Sequence, residues 1–489
     1  MDGRRGPRRD RKGGAMRSGV SGKRAVLGRE EKKRVEEQFA RHINRGQVKY
    51  LKAGHLDVLE SMRKGVRFTD LATGRTMIDC FTSAGCFNAG RSNPLVLAAL
   101  EDALGSVDMG SWMLMSPWKA ALARELVEVA PKGLERVFFA SGGGDAVDCS
   151  IKLARGATGR HTVISTVKAY HGHTGFALSA NGKEHYRRHF EPLIPGFEFV
   201  PFNDPDAIAP HINDSTAAVI LEPIQGEAGI FPASDEYLAE IRRLCDRHGA
   251  MLIFDEVQTG FCRTGRFFAC EHSGVVPDIM ALAKSIGGGV FPNGAVLYRP
   301  LKSIERFLEK HHDFHVSYNG GTDIGCRVSL AVLRFMRETR LWEQAERSGN
   351  RLRAALEELK SENPTIIREV RGRGLMIGIE YIHEFMGPMM SDALARNGVF
   401  AAYSGNAPQV MRFMPPLVAS DDDIDAIIAA ARAAVGMMKA LLPLALPAAR
   451  IPFVLRMLNS ERVQTVLFNW LRSLEDLAGV LTEKRRKAK

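Results

Sequence analysis

The chain has 489 residues, 45% of them apolar and 25% charged, enough to bury a sizeable core in two or three domains of ordinary globular composition. Its formal net charge of +11 is concentrated at the ends: residues 1–34 carry +9 and residues 483–489 carry +4, which leaves −2 for everything between. A specific nucleic-acid-binding face needs a basic patch with a recognisable motif, and the body has neither; contact of the basic ends with an anionic membrane surface stays open as a lesser reading.

In chain order, the Gly-, Pro- and Arg-rich residues 1–28 read as a disordered basic arm. Residues 29–64 look helical, with Val35, Phe39 and Ile43 on one side, and residues 65–88 look like short strands about a turn at Thr73-Gly74. A turn at Asn93-Pro94 then opens a helix, and residues 29–95 are expected to contribute to a small domain. From 96 to 330 strand and helix alternate. The strand candidates are Arg136–Ala140, Thr162–Ser165, Glu198–Phe202, Ala217–Leu221, Met251–Phe254, Ile279–Ala283 and Ala295–Tyr298. Seven strands with interleaved helices predict an α/β large domain whose mostly parallel sheet is covered on both faces. Residues 331–436 read as a smaller α+β domain: a long helix from Leu330, a turn at RGRG, a strand LMIGIEYI and an Ala-rich closing helix. Residues 437–489 form a helical extension with a basic tail. In it Ser460 caps a helix over 460–482 whose stripe runs from Val463 to Leu477 and packs on a dimer or a partner. Seven scattered cysteines show no CxxC pair and no metal-ligand spacing, and no run of 18 apolar residues occurs, so a cytoplasmic location and no metal are expected.

The chemistry concentrates at strand ends, where open α/β sheets hold ligands. Met251–Phe254 runs into Asp255 and Glu256; Ile279–Ala283 runs into Lys284 and then three glycines. An acid and a lysine facing one ligand suit pyridoxal phosphate: the lysine forms a Schiff base with the aldehyde, and the acid keeps the pyridine nitrogen protonated. Met280, Leu282 and Ile286 would desolvate the amine and lower its pKa. The segment SGGGDAVDCSIKLAR, Ser141–Arg155, follows a strand and opens a helix, which suits an anion. Tyr170 in AYHGHTG and Glu222 and Glu227 in ILEPIQGEAG also follow strands.

DEVQTGFCRTG followed by PDIMALAKSIGGG closely resembles the cofactor signature of the class III (ω-amino) aminotransferases. DCFTSAGCFNAG, FACEHSGVVPDI and LAKSIGGGVFPNG are most similar to the putrescine, ornithine and acetylornithine branch, and the resemblance spans about residues 50–436. It implies the pyridoxal-phosphate fold type I, with a seven-stranded large domain, and a homodimer with shared active sites. It also implies pyridoxal 5'-phosphate as cofactor. Residue by residue, it makes Lys284 the Schiff-base lysine and Asp255 the partner of the pyridine nitrogen. Gln258 contacts the ring hydroxyl, Tyr170 stacks on the ring, and Gly143 and Gly144 belong to the phosphate loop. No hydroxyl stands at Gly144, so backbone donors carry more of the load, with help from Ser141. Glu227 covers Arg412, in VMRFMPPL, until a substrate carboxylate arrives; a fixed ion pair is the equal alternative. In HVSYNGGTD, Tyr318 takes the place of a threonine that donates to the partner subunit's phosphate, with Ser317 and Thr322 as the other candidates. Met113, Leu114 and Met115, beside Trp112 and Trp118, border the pocket or, by a slight preference, pack in the core. The implied reaction moves an amino group from a diamine- or ornithine-like amine to a keto acid such as 2-oxoglutarate or pyruvate. Decarboxylation or aminomutation on the same fold is the rival reading, and a non-catalytic scaffold a more distant one.

Overall fold

The structure, a computed structural model, describes residues 28–449. The basic arm up to residue 27 and the helix expected over 460–482 lie outside the described residues.

Seven strands form the large sheet: β1 Arg136–Ala140, β2 Thr162–Thr166, β3 Phe197–Val200, β4 Thr216–Leu221, β5 Met251–Asp255, β6 Ile279–Leu282 and β7 Gly294–Tyr298. Each overlaps its expected segment; β3 starts one residue earlier and ends two residues earlier than expected. Their order across the sheet is β1-β7-β6-β5-β4-β2-β3, and only β7 runs antiparallel to its neighbours. Strands β4 to β7 are buried along their whole length, which is why they read as unbroken apolar runs rather than alternating ones. Successive side chains point to opposite faces. Leu252 and Phe254 therefore join one core cluster, while Met251 and Ile253 join the one behind the sheet.

Local chemistry sets the helix ends. Asn93 accepts from the N–H of Leu95 at 3.0 Å and starts the helix Pro94–Ser106. Ser234 caps Asp235–His248, which stops at Gly249 in the left-handed conformation (φ +63°). The helix Gly143–Thr158 has no side-chain cap, so its first N–H groups keep no partner of that kind.

Two expected boundaries move. Helix ends at Ala53, and Glu60–Lys64, expected to be helical, is a strand hairpinned onto Arg67–Asp70. Gly65, with φ +58°, turns the chain between them. The helix expected from Leu330 begins earlier, at Asp323, where Thr322 accepts from the N–H of Gly325 at 3.1 Å. The strand Thr76–Asp79 pairs in parallel with Val399–Phe400, which stitches the N-terminal segment to the C-terminal one. A further four-stranded sheet runs Ile367–Arg373, Met376–Tyr381, Val410–Phe413, Ala402–Tyr403, and the closing helix Asp421–Ala449 continues past residue 436. Among the described residues no helix is long and apolar enough to cross a membrane.

Candidate active site

The register Asp255↔Ala281 brings the ends of β5 and β6 level, so Asp255 and Lys284 emerge on one edge of the sheet. A cavity of about 450 Å³ opens there, lined by Gly143, Gly144, Tyr170, Glu227, Asp255, Gln258 and Lys284 together with Cys86, His171 and Glu222. Seven of the nine expected site residues thus meet in one space. Arg412 does not line it, and neither does Tyr318.

Lys284 follows β6 in the left-handed region, φ +49°. Burial pulls its amine below the usual lysine range, partly opposed by Cys86, Asp255, Glu227 and Glu222. Asp255 is fixed at both oxygens: Oδ2 lies 2.8 Å from His171 Nδ1, and Oδ1 accepts from the Val257 N–H at 3.0 Å. The His171 backbone N–H donates to Asn181 Oδ1 at 2.7 Å, while its buried Nε2 has no protein partner. The sequence does not single out His171; its place beside Tyr170 is the one signal that could have. Glu222 accepts from the N–H groups of Tyr170 at 2.9 Å and Gly226 at 3.0 Å. Burial pushes its carboxyl up to about 7, with His171 opposing and Asp255 adding. Glu256 belongs to the scaffold: it accepts from Thr259 Oγ1 at 2.6 Å and from the N–H groups of Ala269 and Cys270 at 2.9 and 2.8 Å.

Gln258 donates through Nε2 to the carbonyl of Ala84 at 3.1 Å, and its Oε1 is buried without a partner. On the opposite wall, a Cβ on Gly144 would lie 2.8 Å from Thr174 Oγ1, so the neighbouring loop occupies the space a hydroxyl-bearing side chain at 144 would need. Ser141 does not make good that loss, because its Oγ donates to Asp145 Oδ2 at 2.9 Å. Burial pushes the Asp145 carboxyl up, but His315 Nε2 at 2.8 Å, the Ser141 N–H and Ser317 Oγ at 2.5 Å outweigh it and hold the group below the usual carboxylate range.

Among the three hydroxyls offered for the partner's phosphate, Ser317 is therefore engaged with Asp145, and Thr322 caps a helix and is buried. Tyr318 is 71% exposed. Met113, Leu114 and Met115 do not pack in the core, the reading slightly preferred from sequence. They are 73, 69 and 102% exposed, and among the described residues they do not line the cavity.

At the far end, Arg412 Nη1 pairs with Glu227 Oε1. Glu227 Oε2 accepts from the Gly405 N–H at 3.0 Å, Arg412 Nη2 donates to the Tyr403 carbonyl at 3.1 Å, and the guanidinium lies 5.3 Å from the Phe81 ring centre. Burial pushes the Glu227 carboxyl up, but Arg412 and the Gly405 N–H hold it below its ordinary value. Arg412 Nε is buried and unpartnered.

Comparison with known proteins agrees with this geometry. The family model for class-III aminotransferases matches residues 51–435. An uncharacterized aminotransferase of Archaeoglobus fulgidus is 38% identical over 400 residues, covering 82% of this chain and 93% of that protein. Among solved structures, the ornithine aminotransferase of Toxoplasma gondii, described with PLP at its active site, superposes with a TM-score of 0.74 at 30% identity. It covers 79% of this chain and 91% of its own. An (S)-enantioselective omega-transaminase of Thermomicrobium roseum gives 0.72 at 30% identity, over 78% and 92% of the two chains. With a seven-stranded sheet of fold type I, a lysine and an acid at adjacent strand ends and these relatives, the chain belongs to the class-III aminotransferases, enzymes that transfer amino groups with pyridoxal phosphate.

Proposed function

We propose that this enzyme takes an amino group from a diamine- or ornithine-like amine and passes it to a keto acid such as 2-oxoglutarate or pyruvate. Lys284 is its attachment lysine and proton carrier. The observation that carries the reading is the pair at the sheet edge: a buried amine held below its usual pKa, beside a carboxylate oriented by His171. The residues present fit pyridoxal 5'-phosphate. Gln258 Oε1 is a buried polar atom without a protein partner, and the uncapped helix at Gly143 offers N–H groups to a phosphate. Bound there, the cofactor supplies an aldehyde and a ring that accepts electron density.

Asp255 would face the ring nitrogen, and its bond to His171 fixes the carboxylate's direction. Tyr170 would cover the ring face, Gln258 would meet the ring hydroxyl, and the backbone of Gly143 and Gly144 would hold the phosphate. Lys284, whose amine burial holds below the usual lysine range, would take the proton from the donor carbon and deliver it beyond the donor nitrogen, a 1,3-shift. Glu227 neutralises Arg412 while an amine without a carboxylate is bound. It yields to a keto acid, whose carboxylate an arginine grips with two parallel bonds. The donor class draws support from structural relatives described as ornithine aminotransferase and omega-transaminase.

The working unit in this reading is a homodimer, in which the exposed Tyr318 reaches the neighbour's phosphate. The large domain is 96–330, and 29–95 joins 331–436 in the small domain through the strand pairing of Thr76–Asp79 with Val399–Phe400. Seven free cysteines suit a reducing cytoplasm. Replacing Lys284 by Ala tests the assignment. Transamination should fall by several orders of magnitude, and the visible absorbance of covalently held cofactor should vanish while the fold persists. Turnover near the wild-type rate would refute it.

A further inference from the structure

If Glu227 yields Arg412 to a substrate carboxylate, its own charge needs somewhere to go. Glu227 is 18% exposed and lines the cavity, with Arg412 as its cation and the Gly405 N–H as its second donor. Leaving such a carboxylate without a partner would cancel much of what the substrate gains. The other cation acting on it is Lys284, which the reaction requires neutral. Two phenols also lie within range of its charge, those of Tyr170 and Tyr186. Tyr170 lines the cavity where the cofactor ring belongs, whereas Tyr186 does not.

Tyr186 sits on the short helix Glu184–Arg187, half-buried, with its ring edge-on to Tyr170 at 5.5 Å and to His173 at 5.6 Å. These contacts fix the ring. A methyl group added to Gly405 would lie 3.1 Å from Glu227 Oε2 and 3.5 Å from the Tyr186 hydroxyl oxygen. The two oxygens thus look onto one small gap over the Gly405 backbone, a gap kept open because residue 405 has no side chain. No hydrogen-bond partner takes the Tyr186 hydroxyl proton among the described residues. On the other side of the pair, the buried and unpartnered Nε of Arg412 is a donor left over for an incoming carboxylate.

We propose that Tyr186 is the second seat of the Glu227 carboxylate. When a substrate carboxylate takes Arg412, Glu227 turns across the Gly405 gap and accepts the Tyr186 hydroxyl proton in a hydrogen bond. Tyr186 is then a positioning residue that sets how readily one pocket serves both an amine without a carboxylate and a keto acid. The proposal rests on the reading of Glu227 and Arg412 as a carboxylate gate.

The test is a double-mutant cycle on the holoenzyme, with glutarate, a dicarboxylate that cannot accept an amino group, titrated by calorimetry. Tyr186→Phe keeps the ring and its packing, and should weaken glutarate binding about tenfold, as for loss of a hydrogen bond to a charged group. In a Glu227→Ala background, where no carboxylate needs a seat, the same substitution should change the affinity less than twofold. Unchanged glutarate affinity in the single variant overturns the proposal, and so does an equal loss in both backgrounds, which is what a purely structural tyrosine would give. A wild-type holoenzyme with normal cofactor absorbance that binds no glutarate overturns the gate itself, a result distinct from failure at Tyr186 alone.

Discussion

Glu222 shows how a single buried residue can shape the behaviour of the whole site. Its carboxyl is pushed by burial from an ordinary value of 4.5 to about 7. A carboxyl with a raised folded-state pKa binds its proton more tightly folded than unfolded. It therefore adds stability that is complete below about pH 4.5 and is lost as pH rises through about 7. The full effect is on the order of 3 kcal/mol, at about 1.4 kcal/mol per pKa unit. Glu222→Gln keeps an acceptor for the Tyr170 N–H but cannot titrate. Between pH 5 and 8 its melting temperature should fall less than that of the wild type, and parallel profiles would show that Glu222 does not titrate differently on folding in that range. The same residue marks a limit of the sequence. Asp255 and Lys284 are legible because each ends an apolar run that can only be a buried strand. The closeness of Glu222 to His171 and Asp255 joins three separate strand ends, and no local pattern encodes it.

Among the elements, the tightest constraint is the turn Thr82–Gly85, where four successive residues have positive φ: +53°, +50°, +58° and +100°. Three of them carry side chains, and a left-handed conformation costs such residues roughly 1–2 kcal/mol each. Asp79 Oδ1 accepts from the N–H groups of Phe81 and Thr82 at 2.9 and 2.7 Å, and Thr82 Oγ1 donates to the Met414 carbonyl at 3.0 Å. What the turn delivers to the site is the Ala84 carbonyl that holds Gln258. Strain of this kind gathers where surrounding structure over-determines a functional geometry. Ala84→Gly should therefore raise stability by about 0.5–1 kcal/mol in denaturant unfolding while cofactor affinity stays the same; a destabilised variant would show that the turn is unstrained. TSAG carries no signal for such a turn, since only its last residue is a glycine. Glu60–Lys64 was hidden for a related reason: ESMRK has helical composition, and only its hairpin with Arg67–Asp70 makes it a strand. The large sheet was legible because burial on both faces writes itself into each strand as an unbroken apolar run.

At the scale of the molecule, the described residues leave apolar surface that none of them covers. Met109, Trp112, Met113, Leu114 and Met115 are 41, 47, 73, 69 and 102% exposed along one loop, and Val316 and Tyr318 add 49 and 71%. Trp112 and Met113 also share the lining of one cavity with Val316 and Ser317, which places the two exposed segments side by side. Near the N-terminal end of the described residues, the helical segments Ala40–Asn44 and Arg45–Ala53 bury no residue at all. Scattered apolar residues on a surface are ordinary, whereas a contiguous patch of this kind is what an interface needs; the homodimer proposed above would bury it and give Tyr318 a role. Two consequences can be separated. Met113→Lys together with Leu114→Lys places two charges in the patch, and sedimentation should show a shift from dimer towards monomer. Tyr318→Phe leaves the patch apolar, so the dimer should persist while cofactor retention weakens by about 1–3 kcal/mol, the range for a lost hydrogen bond to a charged group. If the double lysine variant stays dimeric, the interface lies elsewhere. If it becomes monomeric and Tyr318→Phe holds cofactor as tightly as the wild type, the patch is the interface but the phosphate is met by other donors, with Ser317 already committed to Asp145 and Thr322 to its helix.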